Sequence, residues 1–365
     1  MKIKEAIQLI EDLAPLSLQE SYDNSGLTLG NDENKLSGIL CTIDVTEKVI
    51  EEAIKLKANL IVSHHPVIFA GIKSLTGRSE NERVVINAIK NDITLYAAHT
   101  NIDNASGGVN HKIAEKLGLS KLQVLEPHKN SLVKLVTFVP KEHAEKVRQA
   151  LFNGGAGTIG NYDSCSYNIN GTGTFRGNEK TDPFVGEKGK LHFEDEVRIE
   201  TIVPNYSVRN VLTKLLKSHP YEEVAYDLYP LINNNPSVGA GLVGVLNKAI
   251  TAIDFLDKLK AAFHTQVIRY TGKTEAKVMK IAICGGSGSF LLPHAINANA
   301  DAFVTADIKY HQFFEAENKI LLCDIGHYES EQFTKEIFYT LLTKKLSTFA
   351  VHLSKVVTNP INYHL

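Results

Sequence analysis

The chain has 365 residues, too many for one ordinary domain and enough for two or three. Its 39 Lys and Arg against 41 Asp and Glu leave a net charge of −2, which argues against bulk affinity for nucleic acid or an anionic membrane. Hydrophobic residues make up 43%, yet no apolar stretch approaches the ~20 residues of a membrane span.

At the N-terminus Ile3, Ala6, Ile7, Ile10 and Leu13 fall at helical spacing, giving an amphipathic helix rather than a signal peptide. Strands are expected at 37–43, 59–63 and 93–98, and helices at 46–57, 80–91 and 107–118. Alternation of this kind predicts βαβ units in a sheet covered on both faces. From about residue 127 the pattern changes. A strand at 132–139 and a helix at 141–152 precede the run Gly154 to Gly160, where tight turns are expected. About forty residues rich in Gly, Thr, Asn and aromatics then suggest hairpins. A strand at 197–203, a helix at 205–217 and a strand at 223–229 complete an order that suits a ferredoxin-like α+β unit. A turn-rich linker, Ile232 to Gly241, follows. The first style then resumes, with a helix at 251–263, strands at 278–284, 302–305 and 320–324, and a long helix at 329–346. The expected plan is one α/β domain with a mixed sheet, residues 1–126 and 232–365, interrupted by an inserted α+β domain at 127–231.

Cys41, Cys165, Cys284 and Cys323 are scattered, with no C-x-x-C pair, so free thiols in a reduced, cytoplasmic compartment are expected.

Histidine carries the chemistry. Ser63-His64-His65-Pro66 directly follows a buried strand, and strand carboxyl ends are where ligands collect in open α/β sheets. Adjacent imidazoles there project in different directions and can serve different ions. His99 to Asp103 ends another strand with an imidazole and a carboxylate, although Asp103 taken alone reads as a helix or turn cap. Gly326-His327-Tyr328-Glu329-Ser330-Glu331 runs from a strand into a helix. His327 and Glu331, four apart, share one helix face, while Glu329 points elsewhere and reads as solvated or capping. Each segment has an ordinary structural reading by itself; the three together point to one site. His64, His65, Asp103, His327 and Glu331 are N/O donors suited to two borderline divalent ions such as Zn²⁺, Mn²⁺, Fe²⁺ or Co²⁺. Two such ions ~3.5–4 Å apart would activate a shared water and polarise a carbonyl, amidine or phosphoryl oxygen, so metal-assisted hydrolysis is the expected chemistry.

Asp307 and His311, after the strand at 302–305, are candidates for orienting ligand imidazoles or for a general acid/base pair. A helix cap for Asp307 and a surface position for His311 explain them equally well, and His99 has the same status. Gly285-Gly286-Ser287-Gly288-Ser289 lacks P-loop or dinucleotide spacing and is read only as an anion-contacting loop. No nucleophile elbow of the G-x-S-x-G type is present.

Tyr22-Asp23-Asn24-Ser25-Gly26-Leu27, Ser-His-His-Pro at 63–66, the segments His99 to Asp103 and Thr305 to Asp307, and Gly-His-Tyr-x-Ser-Glu at 326–331 together resemble the motifs of the NIF3-like family. Bacterial members of that family are often labelled GTP cyclohydrolase 1 type 2 homologs, and the resemblance covers essentially the whole chain. It implies that His64, His65, Asp103, His327 and Glu331 are dimetal ligands. In some longer members the glutamate stands three positions after the histidine; here that position is Ser330, leaving Glu331 as the candidate. The resemblance also implies a PII/CutA-like insert, with His219-Pro220-Tyr221-Glu222-Glu223 similar to its signature, and a toroidal homohexamer. The expected function is hydrolysis of a nucleotide or related small molecule, with opening of the guanine ring of GTP as the named version. A non-catalytic regulatory or metal-handling role is the alternative. A nucleic-acid-binding ring is disfavoured by the charge and by the lack of aromatic-basic interleaving.

Overall fold

The computed structural model describes residues 1–364. The chain divides into two compact units, one made of Met1–Glu126 with Ser237–Leu365 and the other of Pro127–Pro236. The 231 boundary expected from sequence therefore falls inside the second unit.

In the first unit, the strands Ile39–Thr42, Leu60–Ser63 and Thr94–Ala97 are buried at every position. Unbroken apolar runs suit parallel strands covered on both faces, and these pair in parallel, Leu60 opposite both Ile39 and Thr94. Val351–Leu353 adds a parallel edge beside Ile39–Thr42, and Gly26–Leu29 an antiparallel edge beside Thr94–Ala97. Helices Glu47–Leu56 and Glu80–Lys90 bury Val49, Ile50, Ala53, Val84 and Ala88 with Leu40, Ile61 and Leu95 of this sheet.

A second sheet of six strands runs in the order Arg269–Thr271, Leu321–Asp324, Ala302–Ala306, Lys277–Ser287, Gly239–Thr251, Ser120–Pro127. Leu321–Asp324, Ala302–Ala306 and Lys277–Ser287 pair in parallel, and Arg269–Thr271 and Gly239–Thr251 join them antiparallel. The helix Ala252–Phe263 buries Phe255, Leu259 and Phe263, and its N-terminus is capped by Thr251, whose Oγ1 accepts from the Asp254 N–H at 3.2 Å.

Three expectations need correction here. The linker's last residues, Gly239 to Gly241, begin a long strand, and Leu242 to Val245 pair with Ile283 to Lys280. The long helix at 329–346 is two helices, His327–Glu331 and Thr334–Lys345, parted at Gln332 and Phe333. His99 to Asp103 does not end its strand: Thr100–Asn104 is a helical turn with His99 at its N-cap.

The second unit has the order strand Leu132–Pro140, helix Ala144–Asn153, strands Tyr167–Phe175 and His192–Pro204, helix Val208–Ser218, strand Tyr226–Leu231. In space the sheet places the second strand beside the third, then the first, then the fourth, all antiparallel. This is the split βαβ arrangement of a ferredoxin-like unit. Leu135, Val139, Val197, Ile199 and Val203 meet Val147, Leu151, Val211 and Leu215 in its own core. The four cysteines are free thiols, and no helix of the described residues is long and apolar enough to cross a membrane.

Candidate metal centre

Parallel pairing puts the carboxyl ends of Ile39–Thr42, Leu60–Ser63 and Thr94–Ala97 at one edge, and those of Ala302–Ala306 and Leu321–Asp324 at the corresponding edge of the second sheet. The residues just beyond these ends meet. From the first sheet come Asp44, His64, His65, His99 and Asp103; from the second come Asp307, His327 and Glu331.

Glu331 is the hub. Its Oε2 lies 3.0 Å from His65 Nε2, 3.1 Å from His327 Nε2 and 3.5 Å from His64 Nε2, and Asp103 Oδ1 is 3.8 Å from the same His64 nitrogen. Three overlapping sets, His64/His65/His99, His65/His327/Glu331 and His64/Asp103/Glu331, each converge within 4.8 Å.

The other ring nitrogens are all engaged. His64 Nδ1 donates to the Ala98 carbonyl at 2.9 Å, His65 Nδ1 to Asp44 Oδ1 at 2.7 Å, His99 Nδ1 to Asp23 Oδ1 at 2.7 Å and His327 Nδ1 to Asp307 Oδ2 at 2.6 Å. An imidazole anchored through Nδ1 presents an Nε2 lone pair, which is how protein sites prepare histidine for a metal ion. His64 Nε2 and Asp103 Oδ1 are moreover buried without any hydrogen-bond partner. Buried polar atoms without a partner are costly, and a cation between them removes that cost. The donor set and its orphaned atoms fit divalent metal.

The protonation balance agrees. Burial alone would lower His65 and His327, but Asp44 and Glu331 push His65 up to about 10, and Glu331 with Asp307 push His327 up to about 11. Burial and the neighbouring Glu331 push Asp103 up to about 8. Burial would raise Glu331 too, but the charges of His64 and His327 hold it well below the usual carboxylate range. Protons thus fill the place that ions would take.

Local sequence explains the geometry. Gly286 has φ +59°, and a Cβ there would sit 2.2 Å from Glu331 Oε1, so glycine makes the space the hub carboxylate occupies. The glycine-rich loop does not cradle an anion through its amides at 285, 286 and 288, because these donate to Asn110 Oδ1, Ser330 Oγ and Thr305 Oγ1. Ser330 in turn donates to the His327 carbonyl at 2.8 Å. Glu329 is buried rather than solvated and accepts from Asn359 Nδ2 at 3.1 Å.

Among the sequence candidates, His64, His65, Asp103, His327 and Glu331 come together, and Asp307 reaches His327 from behind. His311 does not join them; it is exposed and its ring lies against Tyr310 and Phe314. His99, read from sequence with the same status as Asp307 and His311, turns its ring to His64 and His65 at centroid distances of 5.3 and 5.4 Å. Sequence reading passed over Asp44 and gave Asp23 no role, although a carboxylate one or two residues past a strand end was the available signal for Asp44. Asp23 also accepts from the Thr100 N–H at 3.0 Å and from Ser25 Oγ at 2.7 Å. Those bonds with His99 hold its carboxyl well below the usual range despite burial.

A cavity of about 480 Å³ opens beside the cluster, bounded by His65, Arg269, Asp307, His327, Tyr328 and Tyr363. Arg269, paired with the buried Asp324, brings a half-exposed guanidinium to its wall.

The Halalkalibacterium halodurans protein named GTP cyclohydrolase 1 type 2 homolog is 42% identical over 98% of this chain and 97% of its own length. The Bacillus subtilis protein of the same name is 38% identical, over 99% and 98% respectively. A crystal structure of a Bacillus cereus protein related to NIF3 superposes with TM-score 0.86 at 37% identity, covering 100% of this chain and 99% of that one. The profile of the Duf34/NIF3 (NGG1p interacting factor 3) family matches residues 1–360, and the chain belongs to that family.

Proposed function

We propose that this chain is a dinuclear-metal hydrolase acting on a small anionic substrate of nucleotide type, with GTP cyclohydrolase-like ring opening as the named candidate. The observation that carries the reading is the arrangement of three imidazoles, His64, His65 and His327, each anchored through Nδ1, around Oε2 of one buried glutamate, with two buried donor atoms lacking partners.

His64, His65, Asp103, His327 and Glu331 would hold the ions, and His99 is placed to complete the set. Divalent ions bound there supply Lewis acidity and an activated water. The chain's own residues do the rest. Asp23, Asp44, Asp307 and the Ala98 carbonyl keep the imidazoles in one tautomer. Arg269 offers a guanidinium to an anionic group of a substrate in the adjoining cavity. Tyr328 and Tyr363 line the same space.

The second unit is proposed as a PII/CutA-like module, supported by its βαββαβ order and by the family resemblance. A homohexamer belongs to the same reading and rests on the resemblance; a cytoplasmic setting rests on the scattered free cysteines.

Elemental analysis of the purified protein beside His65→Ala and Glu331→Ala tests it. About two ions per chain are expected, falling in both variants. Metal-loaded and stripped protein are then compared on a nucleotide panel. Turnover that requires metal supports the hydrolase. Full metal content with ligand binding but no product would instead favour the regulatory or metal-handling alternative. Less than one ion per chain, unchanged by reloading or by either substitution, overturns the metal site itself.

A further inference from the structure

The chain leaves the strand Val351–Leu353 in the same direction as its parallel neighbour Ile39–Thr42. Residues 354–364 therefore come off at the edge where Asp44 and the imidazoles gather, and they form no helix or strand of their own. Polar bonds fix the segment instead. Ser354 N–H donates to the Cys41 carbonyl at 2.9 Å, and Lys355 N–H to Glu52 Oε1 at 3.0 Å. The Ser354 hydroxyl donates to Glu52 Oε2 at 2.6 Å, and Lys335 Nζ to the Ser354 carbonyl at 3.0 Å.

Past these ties, Thr358 and Asn359 each take hold of a carboxylate beside the metal centre, one following a strand of each sheet. The Thr358 hydroxyl donates to Asp44 Oδ2, while Asp44 Oδ1 accepts from His65 Nδ1 at 2.7 Å. Asn359 Nδ2 donates to Glu329 Oε1 at 3.1 Å, two residues after His327. Asn359 Oδ1 also accepts from the Ile361 N–H at 3.0 Å. That local turn accompanies Asn359, Pro360, Ile361 and Tyr363 along the wall of the cavity that His65 and His327 border.

A carboxylate that orients an imidazole must itself be held. The torsion that turns an aspartate's carboxylate plane is soft, so a single bond to His65 leaves it free to swing. A second bond on the other oxygen fixes the plane. We infer that Thr358 is a positioning residue of the metal centre: it locks Asp44, Asp44 sets the His65 ring, and residues 354–364 form a strap that completes the site. The inference rests on the metal reading proposed above. It assigns a role to a threonine 314 residues away from Asp44 in the chain. Because coupling between sites is reciprocal, metal on His65 restrains the strap as the strap restrains His65.

The test is the Zn²⁺ affinity of the full chain, stripped and then titrated in competition with a chromophoric chelator. Thr358→Val, Thr358→Ser, Asp44→Ala and the double variant Asp44→Ala/Thr358→Val are compared with the parent. Valine keeps the shape of threonine without its O–H, and serine keeps the O–H. Thr358 is only half-buried in a stretch without regular structure, so neither change touches the core. Asp44→Ala is expected to weaken Zn²⁺ binding about 10- to 100-fold. Thr358→Val should weaken it about threefold or more, but less than Asp44→Ala, and Thr358→Ser should match the parent. With Asp44 already removed, Thr358→Val should have no further effect, because its route to the metal is gone. A role confined to stability would not give that dependence. Parent affinity in Thr358→Val overturns the inference, and so does a loss that persists undiminished in the Asp44→Ala background. If Glu331→Ala abolishes Zn²⁺ binding while Thr358→Val leaves it intact, the strap fails and the metal centre stands. A parent protein that binds no Zn²⁺ overturns both.

Discussion

At Gly286 two independent constraints meet in one residue. The backbone there is left-handed, and the missing Cβ leaves room for Glu331, the carboxylate shared by three imidazoles. Alanine costs about 1–2 kcal/mol from the backbone conformation alone, and its methyl would stand 2.2 Å from Glu331 Oε1. Gly286→Ala is therefore expected to lower the melting temperature and, more tellingly, to cut bound metal toward the level of Glu331→Ala. A variant with reduced stability but full metal content would mean that Glu331 can shift and that Gly286 serves the fold alone. The same scale shows which site residues can be read from sequence. His64, His65, His327 and Glu331 are visible because histidine pairs and an i,i+4 His/Glu pair beside strand ends are rare and chemically specific. Asp44 and Asp23 are not, because an isolated aspartate near a strand or turn has many ordinary uses. Only the fold shows that each stands behind an imidazole. Asp307 lies between: its position was visible, but its role depends on a left-handed backbone, φ +56°, found only in the structure.

At the scale of elements, the site follows from strand direction. Parallel strands with buried apolar runs must return by crossovers, so their carboxyl ends collect at one edge, and each short sequence beyond an end is delivered there. Such runs are legible, and Ile39–Thr42, Leu60–Ser63, Thr94–Ala97 and Leu321–Asp324 fall where their apolar residues predict. The strands that escape are those without the pattern. Gly239–Thr251 begins with Gly-Ala-Gly, which reads as turn, and Ser120–Pro127 is exposed for half its length. Pairing with neighbouring strands, not local preference, makes them strands. The helix Ala252–Phe263 tests the opposite case, where local chemistry sets the boundary. Thr251 caps it through Oγ1 and also donates to Asp254 Oδ2 at 2.6 Å. Thr251→Ala is expected to destabilise the protein by about 1 kcal/mol in urea unfolding with an unchanged slope. Thr251→Ser should recover most of that loss. If alanine were neutral, the Lys277–Ser287 strand beside Thr251 would be holding the helix start by itself.

On the scale of the molecule, the metal centre acts as a cross-link within the first unit. His65 and Glu331 are 266 residues apart in sequence and follow strands of different sheets, so whatever holds them together stabilises the whole unit. Without metal, the link is made by protons on His65 and His327. Their folded values of about 10 and about 11 lie above the ordinary 6.5, because Asp44, Glu331 and Asp307 outweigh burial. The sign follows from linkage: that contribution is complete below the unfolded value near 6.5 and is lost as pH rises through the folded values. Metal needs the same nitrogens free of protons, so its affinity moves the other way and strengthens as pH rises. Ligand at about a hundred times its Kd stabilises by about 2.7 kcal/mol, so the two trends can be read in melting temperatures. Stripped protein should melt lower at about pH 9 than at about pH 6.5, while the rise produced by Mn²⁺ or Zn²⁺ should widen over the same interval. In Glu331→Ala the partner that raises both histidines is gone, so the metal-induced rise should collapse and the pH trend of the stripped protein should flatten. A metal-induced rise that is independent of pH, or larger in acid, would place the ions on groups other than these imidazoles.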